Sequence, residues 1–155
     1  MTTHLNKKNK PTIVDINNKI ETNRVAIAKG EIKFSKKTFI KIQKLKTKKG
    51  EISSVAIIAG IMGAKKTSEL IPLCHNIKIE NINIDIKTNV KNSSLIIQSC
   101  VKSNGKTGVE MEALTSVSIA CLTVYDMCKS LDKSIIIKEI KLISKTGGKS
   151  DYSKK

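Results

Sequence analysis

Aromatic side chains are scarce in this sequence of 155 residues: they make up 3% of it, and tryptophan is absent. The hydrophobic content of 39% still suits one domain with a real core, which aliphatic side chains, chiefly isoleucine and valine, have to fill. No apolar run approaches the roughly 20 residues of a membrane span. The basic opening has no apolar segment behind it, unlike a secretory signal, so we expect a cytoplasmic protein with no membrane partner.

Cysteine pairing motifs are also missing. The four cysteines show neither a CxxC pair nor zinc-finger spacing, and a chain of this length without a signal is a poor candidate for a disulfide framework. Cys121 and Cys128 lie on one face of a predicted helix, where cysteine serves as a small apolar residue. We therefore expect both thiols in the core.

Arginine occurs once, as Arg24, although lysine and arginine together number 29 and the formal net charge is +16. Such a charge suits a nucleic-acid-binding module, which is the alternative function for this chain. Arginine is, however, the preferred residue for bidentate contacts with bases and phosphates. The lysines are also spread along the chain, and a few converging ones would equally suit a small polyanionic molecule. We therefore expect no specific nucleic-acid partner.

The hydrophobic pattern predicts an α+β fold. Without the helix at 35–46, the order strand, helix, strand, strand, helix, strand is typical of a ferredoxin-like antiparallel sheet with helices on one face, here with an N-terminal strand and helix extension. A slip of phase near Glu80 predicts a β-bulge. The predicted elements are strands at 24–34, 77–86, 95–103 and 134–145, and helices at 35–46, 52–64 and 105–130, with a short helical turn at 67–69. We expect a disordered tail at 1–11, one domain at 12–147 and a flexible tail at 148–155.

The long helix at 105–130 is apolar over most of its circumference, yet it carries charged residues. Glu112 and Asp126 fall on one polar stripe, and the simplest interpretation of that stripe is a side facing solvent. Lys129 lies one turn beyond Asp126, close enough to form an ion pair. Glu110 projects with the core residues instead, so we expect it near the helix N-terminus or in a cleft.

The segment LIPLCHN contains Cys74 and His75 directly ahead of a predicted strand. Such a pair suggests a metal site or a thiol–imidazole couple, while a histidine satisfied by its structural neighbours is the plain alternative. Adjacent residues of an extended chain point in opposite directions, which argues against a shared ligand. We therefore predict no metal site.

Two short loops, TKKGE and SKTGGKS, combine lysine with glycine. Backbone amides freed by glycine suit phosphate oxygens together with ammonium groups, although neither loop is a complete P-loop. With one histidine and three carboxylates elsewhere, they indicate a pocket for a phosphorylated substrate that needs acid–base chemistry.

Three segments make a specific match: AGIMGAKKTSELIPLCH, GKTGVEMEALTSVSIACLTVYDMCKS and KTGGKS. They closely resemble the molybdenum cofactor biosynthesis protein C family (MoaC), the cyclic pyranopterin monophosphate synthases, over about residues 12–150. The resemblance implies a ferredoxin-like subunit in a homohexamer, a trimer of dimers, with active sites at subunit interfaces. It implies a lyase that rebuilds a small-molecule substrate, a cyclised dihydroguanosine triphosphate, as a cyclic pyranopterin and expels diphosphate without a cofactor.

The resemblance also implies roles for individual residues. Asp126 matches the family's acid–base aspartate, and Lys129 and Lys49 match essential lysines. The positions that match substrate-binding residues are Leu73, Cys74, His75, Glu110, Met111, Glu112, Arg24, Lys145 and Lys149.

Three positions depart from the family's habit. Asn76 stands where a proline commonly follows the histidine, Lys66 replaces an arginine, and Thr146 replaces a serine. Lys66 loses the bidentate fork of arginine but keeps the charge, and Asn76 could loosen the loop that aims His75. None of these departures removes a motif residue.

Overall fold

The structure, a computed structural model, describes residues 8–42, 46–47 and 50–154, so most of the predicted tail at 1–11 lies outside it. The α+β class predicted from the sequence is confirmed. In chain order the elements are β1 (Thr22–Lys33), α1 (Lys36–Ile42), β2 (Lys46–Thr47), β3 (Gly50–Glu51), α2 (Ile52–Lys65), α3 (Thr67–Leu70), β4 (Asn81–Asn89), β5 (Ser94–Gly105), α4 (Glu110–Cys128), β6 (Ile136–Thr146) and β7 (Tyr152–Ser153).

Five strands form one antiparallel sheet in the order β4-β5-β1-β6-β7, and β2 pairs with β3 in a small hairpin. β1 is central, with Ala28 opposite Ser99 of β5 and Leu142 of β6. Because side chains alternate along a strand, every second residue of β1 and β5 faces inward. These buried residues are Ala26, Ala28, Ile32, Leu95, Ile97 and Val101.

Two helices cover this sheet: α4 packs on β1, β5 and β6, while α2 lies beside α4 and contacts β4. Gly60 allows the close approach of the two helices, since a Cβ there would lie 3.0 Å from the Ser116 carbonyl oxygen and 3.3 Å from the Ala120 Cβ. The predicted solvent-facing stripe on α4 is therefore wrong in its first half. Glu112, Thr115 and Ser116 are buried, because neighbouring segments, among them α2 at Ser116, cover that side.

The thiols of Cys121 and Cys128 are both fully buried in the core, as predicted. Burial raises the pKa of Cys121 to about 12, so this thiol stays protonated and acts as an apolar side chain.

The strand predicted from Ile77 begins four residues later, at Asn81. The slip of phase near Glu80 marks this start and is not a bulge. The Glu80 backbone N–H already donates to the Lys102 carbonyl oxygen at 3.0 Å. Ile77 and Ile79 pack on the core from an irregular segment, which explains why their spacing continues that of the strand.

The long helix also begins later than predicted, at Glu110 instead of 105, because β5 runs on to Gly105 and residues 106–109 form the connection. Within the described residues, α4 alone is long and apolar enough to cross a membrane by length and composition. The prediction that no apolar run approaches the length of a membrane span is therefore wrong for α4. Core helices pass the same test, and α4 contributes ten buried residues.

The segment predicted as a flexible tail, 148–155, contains β7. Tyr152 pairs with Lys145 of β6, and the Lys154 backbone N–H donates to the Ile143 carbonyl oxygen at 2.8 Å. The chain therefore folds back along β6 after its glycine-containing turn.

Candidate active site

A cleft of about 310 Å³ opens beside the N-terminal end of α4. The segment that follows α3 forms one wall, and the first turn of α4 with the residues before it forms the other. Six residues assigned to substrate binding from the sequence line this cleft: Leu73, Cys74, His75, Glu110, Met111 and Glu112. Two segments far apart in the chain thus meet at one cavity.

The backbone turns at the start of the first wall, where the Cys74 N–H donates to the Ile71 carbonyl oxygen at 3.1 Å. Cys74 and His75 follow this turn, and both line the cleft. In the ranges 8–42, 46–47 and 50–154, no group of three or more His, Cys, Asp or Glu side chains could hold a metal ion.

Glu112 is the buried acid of the cleft, with only 3% of its surface exposed. Its Oε2 atom is buried, and no described residue offers it a hydrogen bond. Desolvation raises the pKa of Glu112 to about 7. A hydrogen bond from the backbone N–H of Glu112 itself acts to lower the pKa, and the nearby charge of Glu110 adds to the rise. A carboxyl group with a pKa near neutrality can both donate and accept a proton at physiological pH.

Desolvation also raises the pKa of the Cys74 thiol, and the charge of Glu112 contributes to this shift. The thiol is therefore protonated at neutral pH, when a cysteine nucleophile would need to be a thiolate. Cys74 is suited to contact a ligand in this cleft and poorly suited to attack one.

An ion pair connects the cleft to the sheet. Lys145, near the end of β6, places its Nζ 3.0 Å from Oε1 of Glu110. Both side chains are partly exposed, so the ammonium group can face a ligand as well as the carboxylate. The predicted residue Lys145 thus lies at the edge of the cleft.

Arg24 lies near Lys145 on the adjacent strand, since Lys145 pairs with Ala26. The Arg24 Nε–H donates to the Gly105 carbonyl oxygen at 3.1 Å. A Cβ at Gly148 would lie 3.3 Å from Nη1 of Arg24, so the guanidinium borders the glycine-containing turn. Lys149 follows in the same turn and is exposed.

Four lining residues were not predicted from the sequence: Ile71, Ile77, Thr107 and Gly108. Gly108 carries a signal that could have found it, because a Cβ there would overlap the carboxylate of Glu110. A glycine two residues before a helix-starting acid leaves room for that acid to bend back toward the cleft. The two isoleucines carry no such signal, since they have the pattern of ordinary core residues.

Asp126 and Lys129 lie at the other end of α4. Their predicted ion pair is confirmed at 2.8 Å, and the hydrogen bond and charge of Asp126 raise the pKa of Lys129. Asp126 follows Glu110 by sixteen residues, which is about 24 Å along a helix axis. Within one chain this pair therefore does not reach the cleft. Lys49, the third predicted catalytic residue, lies outside the described residues.

Comparison with known proteins identifies the family. The model of the MoaC family matches residues 13–148. The chain belongs to the MoaC family. The family predicted from the sequence is thereby confirmed, and the match includes both walls of the cleft, Arg24, Lys145 and Asp126.

Relatives named cyclic pyranopterin monophosphate synthase are similar to this MoaC family chain over almost its whole length. The protein of Helicobacter hepaticus is 54% identical over 148 residues, which are 96% of this chain and 93% of that protein. The protein of Helicobacter pylori (strain Shi470) is 51% identical over 154 residues, covering 99% and 98%. That of Peptoclostridium acidaminophilum is 49% identical over 153 residues, covering 98% and 96%.

Proposed function

We propose that this MoaC family chain is a cyclic pyranopterin monophosphate synthase, a lyase of molybdenum cofactor biosynthesis. Its substrate is a cyclised dihydroguanosine triphosphate, and its products are the cyclic pyranopterin monophosphate and diphosphate. The observation that carries the proposal is the cleft itself. It is lined by Glu112, an acid with a pKa of about 7, and by Glu110, which forms an ion pair with the basic residue Lys145. The names of relatives that share about half of the residues support the same activity.

The cleft residues divide between the two halves of this substrate. Opening the five-membered ring of the base requires proton transfers to and from nitrogen and oxygen atoms, and His75 and Glu112 are the titratable cleft residues suited to make them. Leu73, Cys74 and Met111 contact the base and sugar. The cavity of about 310 Å³ lies at the lower end of the sizes that small ligands use, which suits a single fused ring system with its phosphates outside.

The phosphates extend from the cleft toward the basic residues at the end of the sheet. Departure of diphosphate places negative charge on the leaving oxygens, and fixed positive groups stabilise that charge in the transition state. Arg24, Lys145 and Lys149 supply three cations on adjacent strands and the turn that follows.

Asp126, Lys129 and Lys49 are the catalytic residues of the proposal, with Asp126 as acid or base. Because Asp126 lies about 24 Å along α4 from Glu110 of its own chain and Lys129 lies about one turn farther, a neighbouring subunit supplies them to the cleft. The family resemblance implies a homohexamer, a trimer of dimers with active sites between subunits, and this assembly in the cytoplasm would provide such a neighbour.

Exposed apolar residues support this assembly. Val55, Ile58 and Met62 project from one side of α2 at helical spacing, and all three are exposed in the single chain. Leu122 of α4 is also exposed. A partner subunit that covers these residues removes apolar surface from water.

The order of the strands supports the ferredoxin-like subunit. The neighbours β4-β5-β1-β6, together with α2 after β1 and α4 after β5, give the split βαβ arrangement. In this description α1, the β2–β3 hairpin and β7 are additions to the common fold.

The test is to incubate the purified protein with the cyclised dihydroguanosine triphosphate and to measure both diphosphate release and the fluorescence of the oxidised pterin. We expect product from the wild type and none from Asp126→Ala, which should fold and sediment as the wild type does. Asp85→Ala is the matched control, since Asp85 also forms an ion pair with a nearby lysine, Lys87, at 3.1 Å. No product from the correctly assembled wild type would refute the activity. Full turnover by Asp126→Ala would refute only the catalytic role of Asp126 and would leave the activity standing.

A further inference from the structure

The turn between β6 and β7 is held closed by hydrogen bonds on both sides of one residue, Gly147. Gly147 donates its backbone N–H to Oδ1 of Asp151 at 3.1 Å, and its carbonyl oxygen accepts a hydrogen bond from the Thr22 hydroxyl at 2.7 Å. Gly147 has φ of +84°, a conformation that glycine adopts without strain. The carbonyl oxygen of Asn23 occupies the space where a Cβ would stand.

These contacts determine where the basic residues lie. Gly148, the next residue, rests against the guanidinium of Arg24, and Lys149 follows it. Lys145 enters the same turn from β6 while paired with Tyr152 on the returning strand. Thr22 ties the turn to β1, and Asp151 ties it to itself, so the cations on β1, β6 and the turn are held in one arrangement.

We propose that Thr22 and Asp151 are positioning residues that form a latch on this turn, and that the latch presents Arg24, Lys145 and Lys149 to the polyphosphate group of the substrate. The inference rests on the proposed function for the identity of the substrate and deepens it by naming what holds the basic site. Neither latch residue needs to touch the ligand. The ligand class is an inorganic polyphosphate or the polyphosphate of a nucleotide.

The latch makes a prediction opposite in sign to simple electrostatics. Asp151 carries a negative charge in the same turn as Lys149, so by charge alone its removal should strengthen anion binding. If the hydrogen bond to Gly147 matters more, Asp151→Ala should weaken binding because the turn opens. Asp151→Asn keeps an oxygen that can accept from the Gly147 N–H and removes only the charge.

The experiment titrates inorganic pyrophosphate into the full-length protein by calorimetry, with four variants. We expect Asp151→Ala and Thr22→Val to raise Kd roughly threefold to tenfold, the range of one partly exposed hydrogen bond. Asp151→Asn should bind as well as the wild type or better, and Thr22→Ser, which keeps the hydroxyl, should match the wild type. Thr22→Val preserves shape in a strand, so it tests the latch even if Asp151→Ala folds poorly.

Kinetics with the cyclised nucleotide give the second measurement. The latch variants should lower kcat/KM by at least the same factor, because the displaced cations bind the polyphosphate and also stabilise the departing diphosphate. The latch is wrong if Asp151→Ala binds pyrophosphate as tightly as the wild type, if Asp151→Asn is as weak as Asp151→Ala, or if the wild type does not bind pyrophosphate. A wild type that binds pyrophosphate but makes no pterin refutes the proposed function and leaves the latch to be judged by the binding series.

Discussion

Lys145 and Glu110 join the sheet to the first turn of α4 through a contact of 3.0 Å between Nζ and Oε1. The pair lies where the acidic cleft meets the basic turn. Glu110 therefore holds the ammonium group of Lys145 at the boundary between the two halves of the proposed substrate site.

We expect Lys145→Met to lower kcat/KM for the cyclised nucleotide by at least about tenfold, because one cation that faces the leaving diphosphate is lost. Its free energy of unfolding should change by less than about 1 kcal/mol, since the ion pair is partly exposed. The matched control is Lys141→Met on the same strand, where Lys141 pairs with Glu139 at 2.8 Å. Steady-state assays and urea unfolding measure both effects. Equal losses of activity in the two variants would contradict a specific role for Lys145.

The raised pKa of Glu112 predicts a dependence of stability on pH. The pKa is 4.5 for an ordinary glutamate and about 7 in the folded chain, so between these values the folded state holds the proton more tightly than the unfolded state. The contribution of this group to the free energy of unfolding therefore falls as pH rises through that window. Above pH 7 the full loss in the free energy of unfolding is on the order of 3 kcal/mol. Glu112→Gln keeps the shape of the side chain and removes this dependence.

Urea unfolding at pH 5 and pH 8, at one protein concentration, measures the effect. We expect the stability of Glu112→Gln relative to the wild type to increase between the two pH values. Glu69→Gln is the control, because Glu69 is exposed beside Lys66 and its difference from the wild type should stay nearly constant. An unchanged difference for Glu112→Gln would mean that its carboxyl group titrates normally.

Gly147 and Gly148 make a matched pair for a test of the turn. Gly147→Ala would force a methyl group onto the Asn23 carbonyl oxygen in a backbone with φ of +84°. We expect it to destabilise the protein by about 1–3 kcal/mol or to open the turn. Gly148→Ala would place its Cβ 3.3 Å from Nη1 of Arg24, a tight contact that the end of this long side chain can relieve by a small shift, and should unfold within about 0.5 kcal/mol of the wild type. Denaturant midpoints compare the two, and equal midpoints would count against a requirement for glycine at position 147.

The sequence predicts the regular elements well where one pattern dominates. The alternation in β1 and the helical spacing in α2 are local, and both elements appear within two residues of their predicted bounds. It fails where a residue is apolar for a reason other than strand pairing, as at Ile77, which lines the cleft. It also fails for the start of α4, because the extension of β5 to Gly105 is decided by pairing with β1.

The grouping of the site depends on tertiary contacts that no local pattern encodes. His75 and Glu112 meet only because α4 docks beside the segment that follows α3. The joint role proposed for them follows from the resemblance to a family and not from their spacing. The separation of Asp126 from Glu110 is different, since it follows from helix geometry alone. If both residues serve one site, the length of the helix is enough to require a second subunit.

That separation leads to a complementation experiment. Asp126→Ala and Glu112→Gln are each expected to lack activity, because each removes one half of every site. If a site takes Glu112 from one subunit and Asp126 from its neighbour, a mixed dimer of the two variants has one site with both residues intact. Random mixing should then restore about a quarter of the wild-type activity, since half of the dimers are mixed and each has one working site of two.

Co-expression with two different affinity tags isolates the mixed assemblies, and native mass spectrometry confirms their composition. Asp126→Ala mixed with Lys129→Met is the control, because both residues lie at the same end of α4. If one subunit supplies both residues to a site, every site in this mixture lacks one of them. We expect that mixture to stay inactive. Inactive mixed assemblies of Asp126→Ala with Glu112→Gln would show that the two carboxylates do not act from neighbouring chains, and the proposed shared site would have to be abandoned.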